Sequence, residues 1–132
     1  MRYIRFLLLA LALTVVSGDV SAQNANLQAS LTSATCPGSG CVLVQTVGGA
    51  GIGAQITGTF TGTLQFEGSV DGVTFVAVNT TPPNSTTPAT SATATGVWTG
   101  GVGGLRLFRV RCSAYTSGTA VVTLQLAPGT GR

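Results

Sequence analysis

The sequence predicts an all-β protein, an antiparallel, jelly-roll-like β-sandwich of about eight strands. Apolar residues recur at every second position through much of the chain, which is the spacing of a half-buried strand. Clusters of Gly, Ser, Asn and Pro separate these runs, and such residues form turns. Thr and Gly are abundant, which fits strands joined by turns, and no helical periodicity follows residue 22.

The first 22 residues predict a signal peptide. Arg2 and Arg5 flank the start of an apolar stretch at 4–16, and a Val-Ser-Ala sequence ending at residue 22 has the small-residue cleavage pattern. The apolar run of about 13 residues is shorter than the roughly 20 that span a bilayer. We therefore expect an exported, periplasmic or extracellular chain with one β-sandwich domain at 23–132 and no membrane contact after cleavage. An uncleaved membrane anchor is the alternative.

Eight runs of the mature chain fit the alternation of a strand. They are Leu27–Ser33, Cys41–Val47, Ala54–Phe60, Thr63–Ser69, Val73–Val78, Ala89–Thr95, Leu105–Ala114 and Thr119–Leu126. Two segments between them are predicted as loops, 80–88 and 96–104, and the second carries the lone Trp98. The alternation also predicts which face each residue takes: Phe66 and Phe108 point to the core.

An Asp71-Gly72 pair between two of these runs predicts a hairpin turn. Gly72 can adopt a positive φ, and the Asp71 side chain can cap the turn. Calcium binding by Asp71 is the alternative, although calcium sites use several carboxylates. Glu67 is interpreted as an outward-facing strand residue opposite one of the arginines.

Charged groups are scarce, and this excludes several classes of enzyme. The mature chain has two acids and four bases, a net charge of +2 (4 − 2): Glu67, Asp71, Arg106, Arg109, Arg111 and Arg132. The absence of His and Lys excludes His-dependent triads, Ser–Lys pairs and a phosphate-binding loop at 48–53. The small net charge gives no argument for nucleic acid as a partner. We expect no enzymatic activity and no cofactor.

Three cysteines predict one disulfide and one free thiol. Cys36 and Cys41 enclose Pro-Gly-Ser-Gly, and a disulfide closing that loop in an exported protein would stabilise it by about 2 kcal/mol. Cys112 lies in an alternating apolar run and is interpreted as a buried free thiol. Zinc binding is the alternative, but three Cys without His leave zinc one ligand short, so no metal site is expected.

Four residues are candidate ligand contacts. Trp98 and Tyr115 lie beside Gly- or Ser-rich turns, where their rings could stack on a sugar, although a Trp in a sandwich often packs in the core. Arg109 and Arg111 share one strand face, where they could bind a carboxylate or phosphate. The alternative for the arginines is a solvated face or a protected sheet edge.

Two segments resemble parts of discoidin-like, galactose-binding-type jelly rolls. EGSVDGVTFVAV at 67–78 resembles their Ser-x-Asp-Gly-x-x-aromatic hairpin, and LRLFRVRCSA at 105–114 resembles their late Arg-x-Arg strand. This resemblance implies an eight-stranded sandwich, and many such proteins bind glycans or lipids through loops at one end.

A longer stretch, 58–126, resembles a small β-sandwich domain of tailed-phage and prophage virion proteins, many of them tail-fibre or baseplate-associated. GTLQFEGSVDG at 62–72 and Tyr-x-Ser-Gly-Thr-Ala at 115–120 carry the resemblance. It implies assembly or adsorption without a cofactor, assigns no functional residues, and implies location in the virion.

Two functions follow from these patterns. The first is a non-enzymatic structural or adhesive interaction module of phage-virion type, with a second copy of the chain or other virion or surface proteins as partners. The alternative is a secreted, lectin-like carbohydrate-binding module, with glycans as partners and with Trp98, Tyr115, Arg109 and Arg111 as contacts.

Overall fold

A computed structural model describes residues 26–33, 35–36, 41–46 and 49–129; the predicted signal peptide lies outside them. The described residues form seven strands and no helix, so none of them belongs to a helix able to cross a membrane. The strands are β1 (Asn26–Leu31), β2 (Cys41–Gln45), β3 (Gly49–Ser69), β4 (Val76–Ala77), β5 (Ser91–Ala92), β6 (Gly96–Gly101) and β7 (Leu107–Pro128). Every strand pair is antiparallel, which confirms the predicted fold class.

Strands β3 and β7 form one long antiparallel ribbon, and each replaces two of the predicted strands. Their pairing runs from Gly49 opposite Pro128 to Ser69 opposite Leu107. One end of the ribbon pairs with β1 and β6, which gives a first layer in the order β1-β7-β3-β6. The other end gives a second layer, with β2 beside β7 and with β4 and β5 beside β3. The jelly-roll-like arrangement of the strands stays a prediction.

Glycines lie where the ribbon passes from one layer to the other. Gly58 has a φ of +96° and Gly118 a φ of +88°, which side chains rarely adopt. A Cβ at Gly118 would also collide with the carbonyl oxygen of Thr59 and lie 2.8 Å from the Cα of Phe60. The strand register shifts just beyond this point, between Thr61 and Gly62. The ribbon therefore bends here without a chain reversal.

The two layers pack face to face around a single hydrophobic core. The ring of Phe66 in the second layer lies 5.8 Å from the ring of Trp98 in the first, and 6.5 Å from that of Phe108. The predicted inward positions are confirmed for the large residues Leu64 and Phe66 of β3 and Phe108, Val110, Val122 and Leu124 of β7. Ile52 and Ile56 of β3 are buried in the same core.

The disulfide joins Cys36 to Cys112, with their Cα atoms 5.5 Å apart. The predicted Cys36–Cys41 disulfide is therefore wrong, and Cys112 is not a free thiol. Cys112 does point into the core, as its alternation predicts. Cys36 is also buried; it lies on a turn, and its backbone N–H donates to the carbonyl oxygen of Thr32 at 2.8 Å. Cys41 begins β2, opposite Arg111 in the strand register.

Candidate interaction surface

Glu67 and two arginines form an ion-pair cluster on the outer face of the second layer. Strand pairing puts Glu67 opposite Arg109 and Gln65 opposite Arg111. Glu67 Oε2 accepts a hydrogen bond from Arg109 Nε at 2.6 Å, and Glu67 Oε1 accepts from Arg111 Nη2 at 2.8 Å and Nε at 3.0 Å. This arrangement confirms the interpretation of Glu67 as an outward residue opposite an arginine.

Glu67 is only 7% exposed, yet it remains ionised. The hydrogen bond from Arg111 lowers its pKa most, burial opposes that change, and the hydrogen bond and charge of Arg109 lower the pKa further. A carboxylate held in this way is a poor proton donor at neutral pH. The cluster is therefore a fixed group of charges with one net positive charge.

Phe75 holds the hairpin that follows β3 against this cluster. The guanidinium carbon of Arg109 lies 3.8 Å from the centroid of the Phe75 ring, a cation–π contact. Phe75 immediately precedes β4, which pairs with β3 through Glu67 opposite Ala77 and Gly68 opposite Val76. The returning chain is thus fixed to the outer face of the layer at Arg109.

The turn of the hairpin is closed by Asp71, as its sequence predicts. Asp71 Oδ1 accepts hydrogen bonds from the backbone N–H of Val73 at 2.8 Å and of Thr74 at 2.7 Å, and from Ser69 Oγ at 2.9 Å. These bonds hold the pKa of Asp71 well below its usual range, and the bond from the Val73 backbone contributes most. Gly72 has a φ of +81° and donates its N–H to Ser69 Oγ at 2.9 Å. The tip of the hairpin is therefore ordered by its own side chains.

Arg106 lies across this turn. Its Nη1 donates to the carbonyl oxygen of Asp71 at 3.1 Å, and a Cβ at Gly72 would lie 3.2 Å from the same nitrogen. The backbone N–H of Arg106 donates to the carbonyl oxygen of Ser69 at 2.8 Å. Arg106 is nevertheless exposed, so a cation is held at the hairpin tip in contact with solvent.

Three valines project from the hairpin, Val70 and Val73 at its turn and Val76 at the start of β4, and we call them the valine tip. Their exposed fractions are 71%, 83% and 59%, the largest among the large apolar side chains of the described residues. Val70 and Val76 line, with Leu105, an open concavity of about 270 Å³ beside the hairpin. Sequence reasoning missed this tip because it assigned Val73 to a half-buried strand. The available signal was that Val70 and Val73 directly flank the turn residues Asp71-Gly72, where no neighbouring strand can bury them.

The charges of the described residues are all on this side of the molecule. They comprise three arginines and two acids, a net charge of +1 (3 − 2): Glu67, Asp71, Arg106, Arg109 and Arg111. The outer face of the first layer carries uncharged polar side chains instead, among them Gln55 and Thr123, which are opposite each other in the register. We call the valine tip together with Arg106, Arg109 and Arg111 the hairpin surface.

The predicted ligand contacts do not come together in one site. Trp98 is 8% exposed and packs on Phe66 in the core, so its ring is not presented to a sugar. Tyr115 is half-buried near the ribbon bend, where its hydroxyl donates to the carbonyl oxygen of Gly118 at 3.0 Å. Arg109 and Arg111 lie on the outer face of the second layer, where both bind Glu67. Among the described residues, no three Cys, Asp or Glu side chains are grouped so that they could hold a metal ion.

Comparison with known proteins gives a likeness of fold. No family model matches the sequence, and no curated protein matches it. The crystal structure of the SPBc2 prophage-derived protein YomS is similar to this chain with a TM-score of 0.60 and 16% sequence identity. The likeness covers 79% of this chain and 96% of that chain. A prophage-derived protein therefore has the same fold over nearly its whole length.

Proposed function

We propose that this chain is a non-enzymatic structural or adhesive interaction module, associated with a phage or prophage, that binds its partner through the hairpin surface. The observation that carries the proposal is the valine tip, three exposed valines on a hairpin whose turn is held in place by hydrogen bonds. Exposed apolar groups clustered on a surface mark interaction sites, and a prearranged loop loses little entropy on binding. The fold shared with a prophage-derived protein supports the phage association.

The chemistry of the acids supports binding rather than catalysis. Both carboxyl oxygens of Glu67 accept hydrogen bonds from arginines, and Asp71 accepts three hydrogen bonds within its turn. Both pKa values are lowered, whereas a general acid or base works best with a pKa near the working pH. The chain has no histidine to take the role.

We also propose that the chain is exported or carried in the virion. The Cys36–Cys112 disulfide supports this location, because disulfides persist in oxidising compartments and are rare in the cytosol. The N-terminal signal pattern supports export in the same direction.

The proposal is tested by comparing the full chain with two surface variants. Fluorescently labelled protein is incubated with a panel of bacterial cells for adhesion, and light scattering records assembly. The triple variant Val70→Ser/Val73→Ser/Val76→Ser removes the valine tip, and Val97→Ser is the matched control, an exposed valine (42%) on β6 in the first layer. We expect saturable cell binding or ordered assembly that the triple variant loses and the control retains.

Two results would contradict the proposal. The first is cell binding or assembly that the triple variant retains unchanged. The second is selective binding on a bacterial polysaccharide array that is unaffected by the valine substitutions, which would indicate a lectin with its site elsewhere.

A further inference from the structure

We infer that the partner of the hairpin surface is a protein with an apolar contact patch bordered by carboxylates. This inference rests on the proposed function and adds the chemistry of the partner. It follows from three features: the cation held at the valine tip, the engagement of the chain's own acids, and the concavity beside the tip.

Arg106 supplies the polar part of the surface. It is exposed, and its Nη1 donates to the carbonyl oxygen of Asp71 at 3.1 Å, which fixes the guanidinium over the turn. A guanidinium has further N–H donors, and their geometry matches a carboxylate. A partner that covers Val70 and Val73 would also come close to this guanidinium, because its Nη1 lies against Gly72 between the two valines. The partner must therefore supply a hydrogen-bond acceptor for the Arg106 guanidinium at the border of the apolar contact.

The charges argue against a second copy of this chain as the partner. A symmetric dimer places the same patch on both subunits, so the hairpin surface and the two acids beside it, with a net charge of +1, would face another +1. Glu67 is already bound by two arginines, and Asp71 is already bound within its turn. Glu67 therefore has no oxygen to offer Arg106 of another copy, and the exposed Asp71 has only its Oδ2, so contact with a second copy would leave one positive charge per subunit unpaired. Acidic groups must come from a different protein.

The concavity defines the apolar part of the partner. Val70, Val76 and Leu105 line an open space of about 270 Å³, while Val73 projects beside it with 83% of its surface exposed. A complementary protein therefore carries a protruding aliphatic or aromatic side chain for the concavity and a shallow apolar depression for Val73. Anionic lipid would satisfy Arg106 but gives no fixed projection to fill the concavity.

Short random-sequence peptides displayed on yeast test the inference. Peptides are selected on the full chain after depletion on the triple variant, so that those retained need the valine tip. We expect the retained peptides to combine aliphatic or aromatic residues with Asp or Glu. Their affinity should fall about tenfold for Val73→Ser and about threefold for Arg106→Gln, weaken with added salt, and be unchanged for Val97→Ser. Thermal unfolding of each variant verifies that it folds.

Other results overturn the inference, and they separate it from the proposed function. The inference of an acidic partner fails if the retained peptides lack acidic residues, or if their affinity is insensitive to Arg106→Gln and to salt. Either result still supports binding through the valine tip, which is the proposed function. Failure to retain any peptide overturns the inference as well. Self-association in sedimentation that the triple variant loses would identify a second copy as the occupant instead. Binding to phosphatidylserine vesicles that the triple variant loses would identify a membrane.

Discussion

Removal of the Cys36–Cys112 disulfide should strongly destabilise the chain. The bond joins residues 76 apart in sequence, and on the chain-entropy relation closing a loop of that length stabilises by about 4.5 kcal/mol. The same relation gives only about 2 kcal/mol for the short loop between Cys36 and Cys41. The two pairings therefore predict effects of different size at different residues.

The variant Cys36→Ala/Cys112→Ala should lose about 4.5 kcal/mol of its free energy of unfolding. Since domains of this size are stable by about 5–15 kcal/mol, the double variant should lose about 30–90% of its stability at 25 °C. Urea denaturation followed by the fluorescence of the lone Trp98, which is buried against Phe66, measures the change. Each single variant should lose about as much as the double variant, because either one opens the same bond.

Cys41→Ala is the matched control, and it should shift the free energy of unfolding by less than about 0.5 kcal/mol. The reasoning fails if Cys41→Ala is as destabilising as Cys36→Ala. It also fails if peptide mapping of the oxidised protein without reduction recovers Cys36 linked to Cys41.

Three further predictions concern the ion-pair cluster and the ribbon bend. Glu67→Gln should cost about 2 kcal/mol in urea denaturation, between the values for exposed and buried ion pairs, because it leaves Arg109 and Arg111 without their carboxylate. Wild-type stability should decline as the pH falls below about 4.5, because the pKa of Glu67 is lower in the folded than in the unfolded protein. The stabilisation by this carboxylate is complete above its unfolded pKa and is lost as the pH falls through its folded pKa. Gly118→Ala should cost at least about 2 kcal/mol, because alanine disfavours a φ of +88° and its Cβ would collide with the Thr59 carbonyl oxygen.

Each of these has an outcome that contradicts it. The role of the cluster is refuted if Glu67→Gln has wild-type stability at neutral pH. The acid prediction is refuted if the slope of stability between pH 5 and 3 is the same in wild type and Glu67→Gln, since both retain Asp71. For the bend, Gly103→Ala is the control, because it has open space around its Cβ; equal stability of Gly103→Ala and Gly118→Ala would contradict the bend's requirement for glycine.

Local pattern was sufficient for the fold class and for the inward faces of the long strands. The inward positions of Phe66 and Phe108 and the turn at Asp71 follow from alternation and turn chemistry within a few residues. The continuity of β3 and β7 does not, because Gly62 and Gly118 resemble turn signals and lie in the gaps between predicted strands, at 61–62 and 115–118. Only the pairing of β3 with β7 across both gaps shows that the chain bends there without reversing. The glycine-rich segment 96–104 was likewise predicted as a loop, but its first six residues form β6 with Trp98 inward.

Long-range pairing explains what the sequence could not predict about the disulfide and the site. Cys36 and Cys112 meet because the turn after β1 lies over β7, and no local spacing encodes that approach. The position of Glu67 opposite an arginine was predictable, because alternation places Glu67, Arg109 and Arg111 at outward positions and opposite charges on neighbouring strands attract. The exposure of Val70 and Val73 was not, since it depends on β4 being only two residues long.

Photo-crosslinking at the valine tip tests the central claim most directly. The photoreactive residue p-benzoyl-phenylalanine replaces Val73 in one preparation and Val97 in another, and each is irradiated with the bacterial cells that the wild-type chain binds. We expect a discrete crosslinked product from position 73 and none from position 97, because the partner lies on the hairpin surface. A product from position 97 alone would place the binding surface on the first layer and contradict the proposed function.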